Sequence, residues 1–275
     1  MDLTGPHAKV DWAFKQLKAL DDETLRLNEL DPFYIADDFD ADSGCHVMRF
    51  RVREDVFPPH IGPLVGSVVH AARSALDQAM WLVACRSNDV EWLWEPGVAR
   101  SIAFPPVWDA DRLQGHAVMP FIVDDAKAVL KRLHDHEGGD MAKALRDLEQ
   151  FWNIDKHRVS HNGVARLDLS KVQFRPGSEI PEDLDPLPVG EALPLSNPVK
   201  DGADIARIRF RSGLGPPHTK VKVEGEPRAL VAFGGGPVAL STYQISLLVM
   251  HAQSTLFMLG QLADEAALSN ASRKR

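Results

Sequence analysis

The sequence is 275 residues long, with 44% hydrophobic and 25% charged residues, which is typical of a globular chain with a substantial core. Its formal net charge of −8 argues against a protein that coats nucleic acid through charge alone, because phosphate neutralisation needs clustered Lys and Arg. Two cysteines, Cys45 and Cys85, are too few for a disulfide framework or a cysteine zinc site. The start of the sequence lacks the pattern of a secretory signal, so we expect a cytoplasmic protein.

The first third of the chain predicts a helix, a β-hairpin and a strongly apolar second helix. Apolar residues recur at helical spacing over residues 7–30. The alternating segments FYIADDFD and CHVMRFRV flank the turn-rich residues 41–44, and this pattern predicts a hairpin. Residues 61–86 predict a buried helix rather than a membrane span, because Arg73 and Asp77 would each cost roughly 2.5–3.5 kcal/mol at a bilayer centre.

The rest of the chain predicts three more helices and several strands. Residues 88–123 predict an irregular segment whose aromatic residues pack on the core. One helix is predicted near 124–136, and a second follows Asp140 over MAKALRDLEQFWNIDKHRVSH. Residues 176–203 are rich in proline and lack a period, which predicts a mobile loop. Alternating segments on both sides of this loop predict an antiparallel sheet, and a final apolar helix begins at Ser241.

Together these elements predict an α+β fold with a helical-bundle core, a small N-terminal β-hairpin and a C-terminal antiparallel β segment. We expect one domain over residues 1–275. Its expected parts are a helical core with the hairpin over 1–163, an antiparallel β insertion over 164–239 with the mobile loop 176–203, a C-terminal core helix over 240–268, and a flexible tail over 269–275.

Three polar residues, His70, Arg73 and Asp77, interrupt the apolar central helix. At 100° per residue they share one strip at the margin of the apolar stripe. On the later helix that follows the glycine pair, Asp155 falls on the apolar stripe. Because an uncompensated buried charge costs on the order of 3–5 kcal/mol, we expect Arg73 to bind Asp155 across the two helices and Asp77 one turn away. Arg73, Asp77 and Asp155 are thus predicted to form a structural polar clasp.

Two segments carry a resemblance to known proteins, HAARSALDQAMWLVA and FWNIDKHR. They resemble a widespread group of uncharacterised bacterial proteins whose typical patterns are H-N-x-R-S-A-L-D-H and N-x-D-K-H-R. The first pattern is also similar to the signature of HEPN-type helical ribonucleases, which is an arginine, four intervening residues and a histidine. These enzymes pair the motif across a dimer to cleave RNA without a metal ion. The resemblance implies a HEPN-like bundle, an RNA partner, a homodimer and a role in stress or phage defence.

In such a metal-independent endoribonuclease, the histidine handles a proton and the arginine stabilises the charged phosphate. This sequence has Gln78 at the position of the histidine, and glutamine cannot transfer a proton near neutrality. The implied active site is therefore degenerate, with His70 or His157 as substitutes. The resemblance gives Arg73, His70, Asp77 and His157 as candidate catalytic residues, and Asn153, Lys156 and Arg158 as candidate substrate-binding residues.

Two classes of function stay open at this point. One is an RNA-binding or RNA-cleaving stress or defence protein with a degenerate active site. The other is a non-catalytic structural or protein-interaction module that homodimerises through its helices, in which Lys156 and Arg158 only complement a helix dipole. In both cases we expect no metal or other cofactor, and neither DNA nor a membrane as a partner.

Overall fold

The structure, a computed structural model, groups the chain into two compact units. The helical unit comprises residues 1–21, 62–161 and 242–275, and the strand unit comprises residues 22–61 and 162–241. The residues that the structure describes are 1–30, 32–42, 45–53, 57–105, 113–135, 139–157, 162–168, 173–176, 186–187, 199, 201–210, 221–224, 228–234 and 239–273.

The helices follow the predicted amphipathic segments closely. Asp2 caps the first of them by accepting a hydrogen bond from the Thr4 N–H at 2.9 Å.

Two short helices also form within residues 88–123, a segment that was predicted to be irregular. The helices are α1 (Thr4–Glu29), α2 (Ile61–Cys85), α3 (Val90–Leu93), α4 (Pro96–Ala99), α5 (Asp124–Asp135), α6 (Asp140–His157) and α7 (Thr242–Arg273), with a 3-10 turn at Met119–Phe121.

α2 buries the apolar stripe that its periodicity predicts. Each large apolar side chain of the stripe contributes about 1.5–3 kcal/mol when it is removed from water. None of the described helices, α2 included, is both long and apolar enough to cross a membrane. The buried residues of the stripe are Val65, Val69, Ala72, Leu76, Met80 and Val83.

The buried face of α6 is wider than one helical stripe, because α6 contacts both α5 and α7. Phe151 and Ile154 are buried on this face. Trp152, which the spacing of apolar residues places on the predicted stripe, is only half-buried. Leu145 and Leu148 of the predicted stripe are buried as well, so the core-facing surface of α6 includes that stripe and extends beyond it.

His251 on α7 gives the helical unit a pH-dependent stability. Partial burial lowers the pKa of this imidazole below its ordinary value, and the charge of Asp140 opposes that shift. The folded state thus disfavours the protonated ring. The contribution of His251 to stability is complete above the ordinary pKa of 6.5, and it is lost as the pH falls from 6.5 through the lowered pKa of the folded state. In urea unfolding between about pH 7.5 and about pH 5, His251→Gln should lose less stability than the parent; an unchanged pH dependence would contradict this.

The predicted hairpin forms with the predicted bounds. β1 (Phe33–Asp40) pairs antiparallel with β2 (Cys45–Val52), from Phe33 opposite Val52 to Asp40 opposite Cys45. The hairpin is not a separate part, however, because β2 also pairs with β6 (Asp204–Phe210). A two-stranded ribbon would leave a row of unpaired backbone groups on β2, and β6 satisfies them. With β5 (Pro186–Leu187), the sheet has the order β1-β2-β6-β5.

The remaining strands form two further antiparallel sheets. β3 (Asn162–Asp168), β8 (Arg228–Gly234) and β9 (Ala239–Leu240) have the order β3-β8-β9, and β4 (Gln173–Pro176) pairs with β7 (Val221–Glu224). The α+β class, with antiparallel strands in the predicted C-terminal segment, is therefore confirmed. Most of the predicted mobile loop 176–203 lies outside the described residues.

One helix end differs from the prediction. The last residues of the helix predicted over 141–161 lie outside the described residues, since α6 is described to His157 and β3 begins at Asn162. α7 continues to Arg273 through most of the segment 269–275, which was predicted to be a flexible tail. An established helix gains one backbone hydrogen bond per added residue, so even the mostly polar residues 269–273 can extend it.

Candidate functional site

Three separate segments of the helical unit meet around the guanidinium of Arg73. α2 contributes Arg73 and Asp77, the segment that follows α4 contributes Phe104, and α6 contributes Glu149 and Trp152. The Arg73 side chain is only 6% exposed. The conspicuous arginine of the first motif is therefore an interior residue, and its charge must be compensated by neighbouring groups.

Two carboxylates compensate this charge. Arg73 Nε lies 2.9 Å from Glu149 Oε2, and Arg73 Nη2 lies 3.3 Å from Asp77 Oδ1. The first two atoms are close but lack hydrogen-bond alignment, so their attraction is that of an ion pair. The other Glu149 oxygen accepts a hydrogen bond from Asn153 Nδ2 at 3.0 Å. Arg73, Asp77 and Glu149 together carry a net negative charge, and we call them the clasp.

The clasp also holds the backbone of Phe104. The Phe104 N–H donates to Asp77 Oδ1 at 2.8 Å, and its carbonyl accepts from Arg73 Nη2 at 2.7 Å. Both polar backbone groups of this buried residue are thus satisfied by one turn of α2, much as a neighbouring strand would satisfy them. The Phe104 ring lies 5.7 Å from the Arg73 guanidinium. The pair Arg73 and Asp77 therefore fastens the segment around residue 104 to α2.

The prediction that Asp155 binds Arg73 is wrong. The Asp155 carboxylate lies instead against Gly66, where a Cβ would come within 2.6 Å of Oδ1. Gly66 is two turns before Arg73 on α2, a separation of about 10 Å along the helix. Asp155 is six residues after Glu149, about 9 Å further along α6, so Asp155 lies at Gly66 while Glu149 reaches the guanidinium. The sequence did contain a signal for this contact, because Glu149 lies four residues, or about one helical turn, after the buried Leu145.

The segment FWNIDKHR, the second of the two that carry the resemblance, contributes an aromatic ring that two cations contact. The Trp152 ring lies 5.2 Å from the Arg73 guanidinium and 4.4 Å from Lys156 Nζ. Lys156 is exposed, and half-buried Asn153 is bound to Glu149. Of the other predicted residues, Arg158 lies outside the described residues, and so does the side chain of His157.

The remaining residues of the first motif point to different surroundings. Gln78, at the position of the expected histidine, packs against α1, where a Cβ on Gly5 would lie 2.6 Å from Gln78 Nε2. Its Oε1 is buried and has no hydrogen-bond partner among the described residues. His70 is exposed on α2. The structure thus brings buried Arg73 together with half-buried Asp77 and leaves His70 on the surface.

Comparison with known proteins does not identify this site. The chain matches no family model, no curated protein and no solved structure. Within the part of the chain that the structure describes, no group of three His, Cys, Asp or Glu side chains is placed to hold a metal ion. The chemistry open to the clasp is charge compensation and backbone binding, which join α2, α6 and the segment around Phe104.

Proposed function

We propose that this protein is a cytoplasmic, non-catalytic protein-interaction module that homodimerises through α7. The observation that carries the proposal is an exposed apolar stripe on this helix. Tyr243, Met250 and Phe257 are 70%, 51% and 60% exposed. They recur every seven residues and therefore lie along one face of α7, as the residues of a helix–helix seam do. Exposed apolar stripes of this kind are typical of protein–protein contacts.

The lack of charged residues around the stripe favours a second copy of the same chain as its partner. The sequence has no Asp, Glu, Lys or Arg between Thr242 and Ala263, although the whole chain has a net charge of −8. Two like-charged copies repel each other over most of their surfaces, and a charge-free face offers the approach with the least repulsion. Such a face can pair with itself about a two-fold axis, which is the commonest arrangement of homodimers.

The polar groups beside the stripe are already compatible with burial. Ser246 Oγ donates to the Tyr243 carbonyl at 2.7 Å, and Ser254 Oγ donates to the Met250 carbonyl at 3.0 Å. Covering these hydroxyls would therefore leave no unsatisfied donor, which lowers the desolvation cost of association. The α7 face combines large apolar side chains with polar groups that do not depend on water.

The clasp supports this non-catalytic proposal. A HEPN-like cleavage site needs an arginine that reaches phosphate and a histidine that transfers a proton. Here Arg73 is buried and bound to two carboxylates, and Gln78 is covered by α1. In the proposal, the first motif stabilises the helical unit, and the contact surface lies on α7.

Light scattering of the purified protein tests the proposal. The parent is expected at twice its chain mass of 30.4 kDa, and the variant Met250→Lys/Phe257→Lys at the single chain mass, because two charges would be buried at the seam. Trp12→Lys is the matched control, since Trp12 is a 51% exposed apolar residue on α1. A monomeric parent, or a double variant that stays dimeric, would overturn the proposal.

A second candidate function, RNA binding with or without cleavage, is favoured by a different observation. His70 and Lys156 are both exposed, and Lys156 lies over the Trp152 ring. An exposed cation beside an aromatic ring can bind phosphate and stack a base. In this candidate, His70 or His157 would transfer the proton in a stress or defence ribonuclease of HEPN-like type.

Incubation with total RNA in EDTA tests this candidate. Parent cleavage that is abolished in His70→Ala or His157→Ala, and weaker RNA binding by Lys156→Ala, would support it. His70 and Lys156 are exposed, so these two substitutions should leave the fold intact. Absence of both cleavage and binding by the parent would eliminate the candidate, and so would equal activity of all variants.

A further inference from the structure

We infer that a second surface of the helical unit binds an arginine-containing basic segment of a partner protein. This tryptophan surface comprises two ring pairs that are linked through α3: Trp92 of α3 contacts Phe121, and Trp94 at the end of α3 contacts Trp81. Trp92 and Trp94 are 42% and 66% exposed, although the sequence predicted that the aromatic residues of this segment pack on the core. Exposed tryptophans are the residues that most often dominate protein–protein contacts. The inference goes beyond the proposed homodimer, because α7 is not part of this surface.

The rings of the tryptophan surface are held in place before any partner arrives. The ring centroids of Trp81 and Trp94 are 4.7 Å apart, and those of Trp92 and Phe121 are 5.5 Å apart. Each strongly exposed indole is therefore backed by a second aromatic ring. A side chain that is already restrained loses little conformational entropy when a partner binds.

The local backbone directs these rings outward. Within α3 the buried residue is Leu93, and α4 has no buried residue. Leu93 is thus the one side chain of α3 and α4 that is buried in the helical unit, and the tryptophans beside it are exposed to solvent. This arrangement provides a surface rather than part of the core.

The charges around the rings select the partner. Asp89, Glu91 and Glu95 are exposed and flank the two tryptophans along the chain. Asp89 also accepts the Glu91 N–H at 2.9 Å, which fixes the start of α3. Carboxylates beside indole faces attract cations and repel phosphate, because ring and carboxylate both present negative potential. A guanidinium fits best, since its plane stacks on an indole and its edge donates to a carboxylate.

Fluorescence anisotropy with a labelled peptide of alternating Arg and Gly tests the inference. We expect saturable binding to the parent and about tenfold weaker binding to Trp94→Ala, which corresponds to about 1.4 kcal/mol. The variant Glu91→Gln/Glu95→Gln should also bind more weakly and with less dependence on salt. A peptide of alternating Lys and Gly, matched in length and charge, should bind less tightly than the arginine peptide.

The matched control is Trp12→Ala, which removes an exposed indole on α1, outside the tryptophan surface. This control should bind the arginine peptide like the parent, and so should Met250→Lys/Phe257→Lys, which separates the result from dimerisation. Three outcomes would overturn the inference: no saturable binding of the arginine peptide, equal binding by Trp94→Ala and Trp12→Ala, or tighter binding of a single-stranded RNA of similar length.

Discussion

Replacing Arg73 with alanine is expected to lower the free energy of unfolding by about 3–5 kcal/mol. The substitution leaves the buried Glu149 carboxylate, which is 9% exposed, without its cation, and Asp77 loses the same partner. It also removes the donor to the Phe104 carbonyl. Urea unfolding followed by tryptophan fluorescence measures the change, with the protomer concentration held constant because association would add to apparent stability.

Arg100→Ala is the matched control for this experiment. Arg100 is exposed, so its removal should change the free energy of unfolding by no more than about 0.5 kcal/mol. If Arg73→Ala were as mild as the control, Arg73 would not compensate buried charge, and the structural reading of the motif would fail.

Replacing Phe104 with alanine should have an effect of similar size, a loss of about 3–5 kcal/mol. The ring is 2% exposed, and its removal leaves a cavity beside the clasp. The loss of this anchor should also make the chain around residue 104 more susceptible to limited proteolysis, since local opening would need less free energy. Both effects can be followed on one preparation, by urea unfolding and by timed digestion.

Trp94→Ala serves as the comparison, because Trp94 is an aromatic residue of the same connecting segment but is 66% exposed. Its removal should cost no more than about 1.5 kcal/mol, the scale of one aromatic pair with Trp81. A larger loss for Trp94→Ala than for Phe104→Ala would mean that the tryptophans pack on the core, as the sequence predicted.

The elements that follow from local pattern were predicted well. The hairpin has its predicted bounds, because alternation and turn residues act between near neighbours. The buried stripe of α2 was also predicted residue by residue, since one helix face repeats every 3.6 residues. Both features are determined by the spacing of apolar residues that are close together in the sequence, and neither depends on a distant segment.

The sequence predicted which type of group contacts Arg73, but it did not predict all of the residues that do so. The sequence indicated that a buried arginine needs carboxylates, and Asp77 is one of them. The second acid depends on the alignment of α6 along α2, which places Glu149 at Arg73 and Asp155 at Gly66 and cannot be read from either helix alone. Phe104 is 31 residues from Arg73, and no local pattern links its backbone to the guanidinium. The contact of half-buried Gln78 with Gly5 is likewise a contact between helices.

The central claim is that Arg73 is a structural residue, paired with Glu149. A double-mutant cycle with Arg73→Met and Glu149→Leu tests this claim most directly, because it isolates the interaction between the two side chains. We expect a coupling free energy of about 1.5–3 kcal/mol, with the double variant more stable than the sum of the single losses implies. A coupling below about 0.5 kcal/mol would contradict the pairing of Arg73 with Glu149.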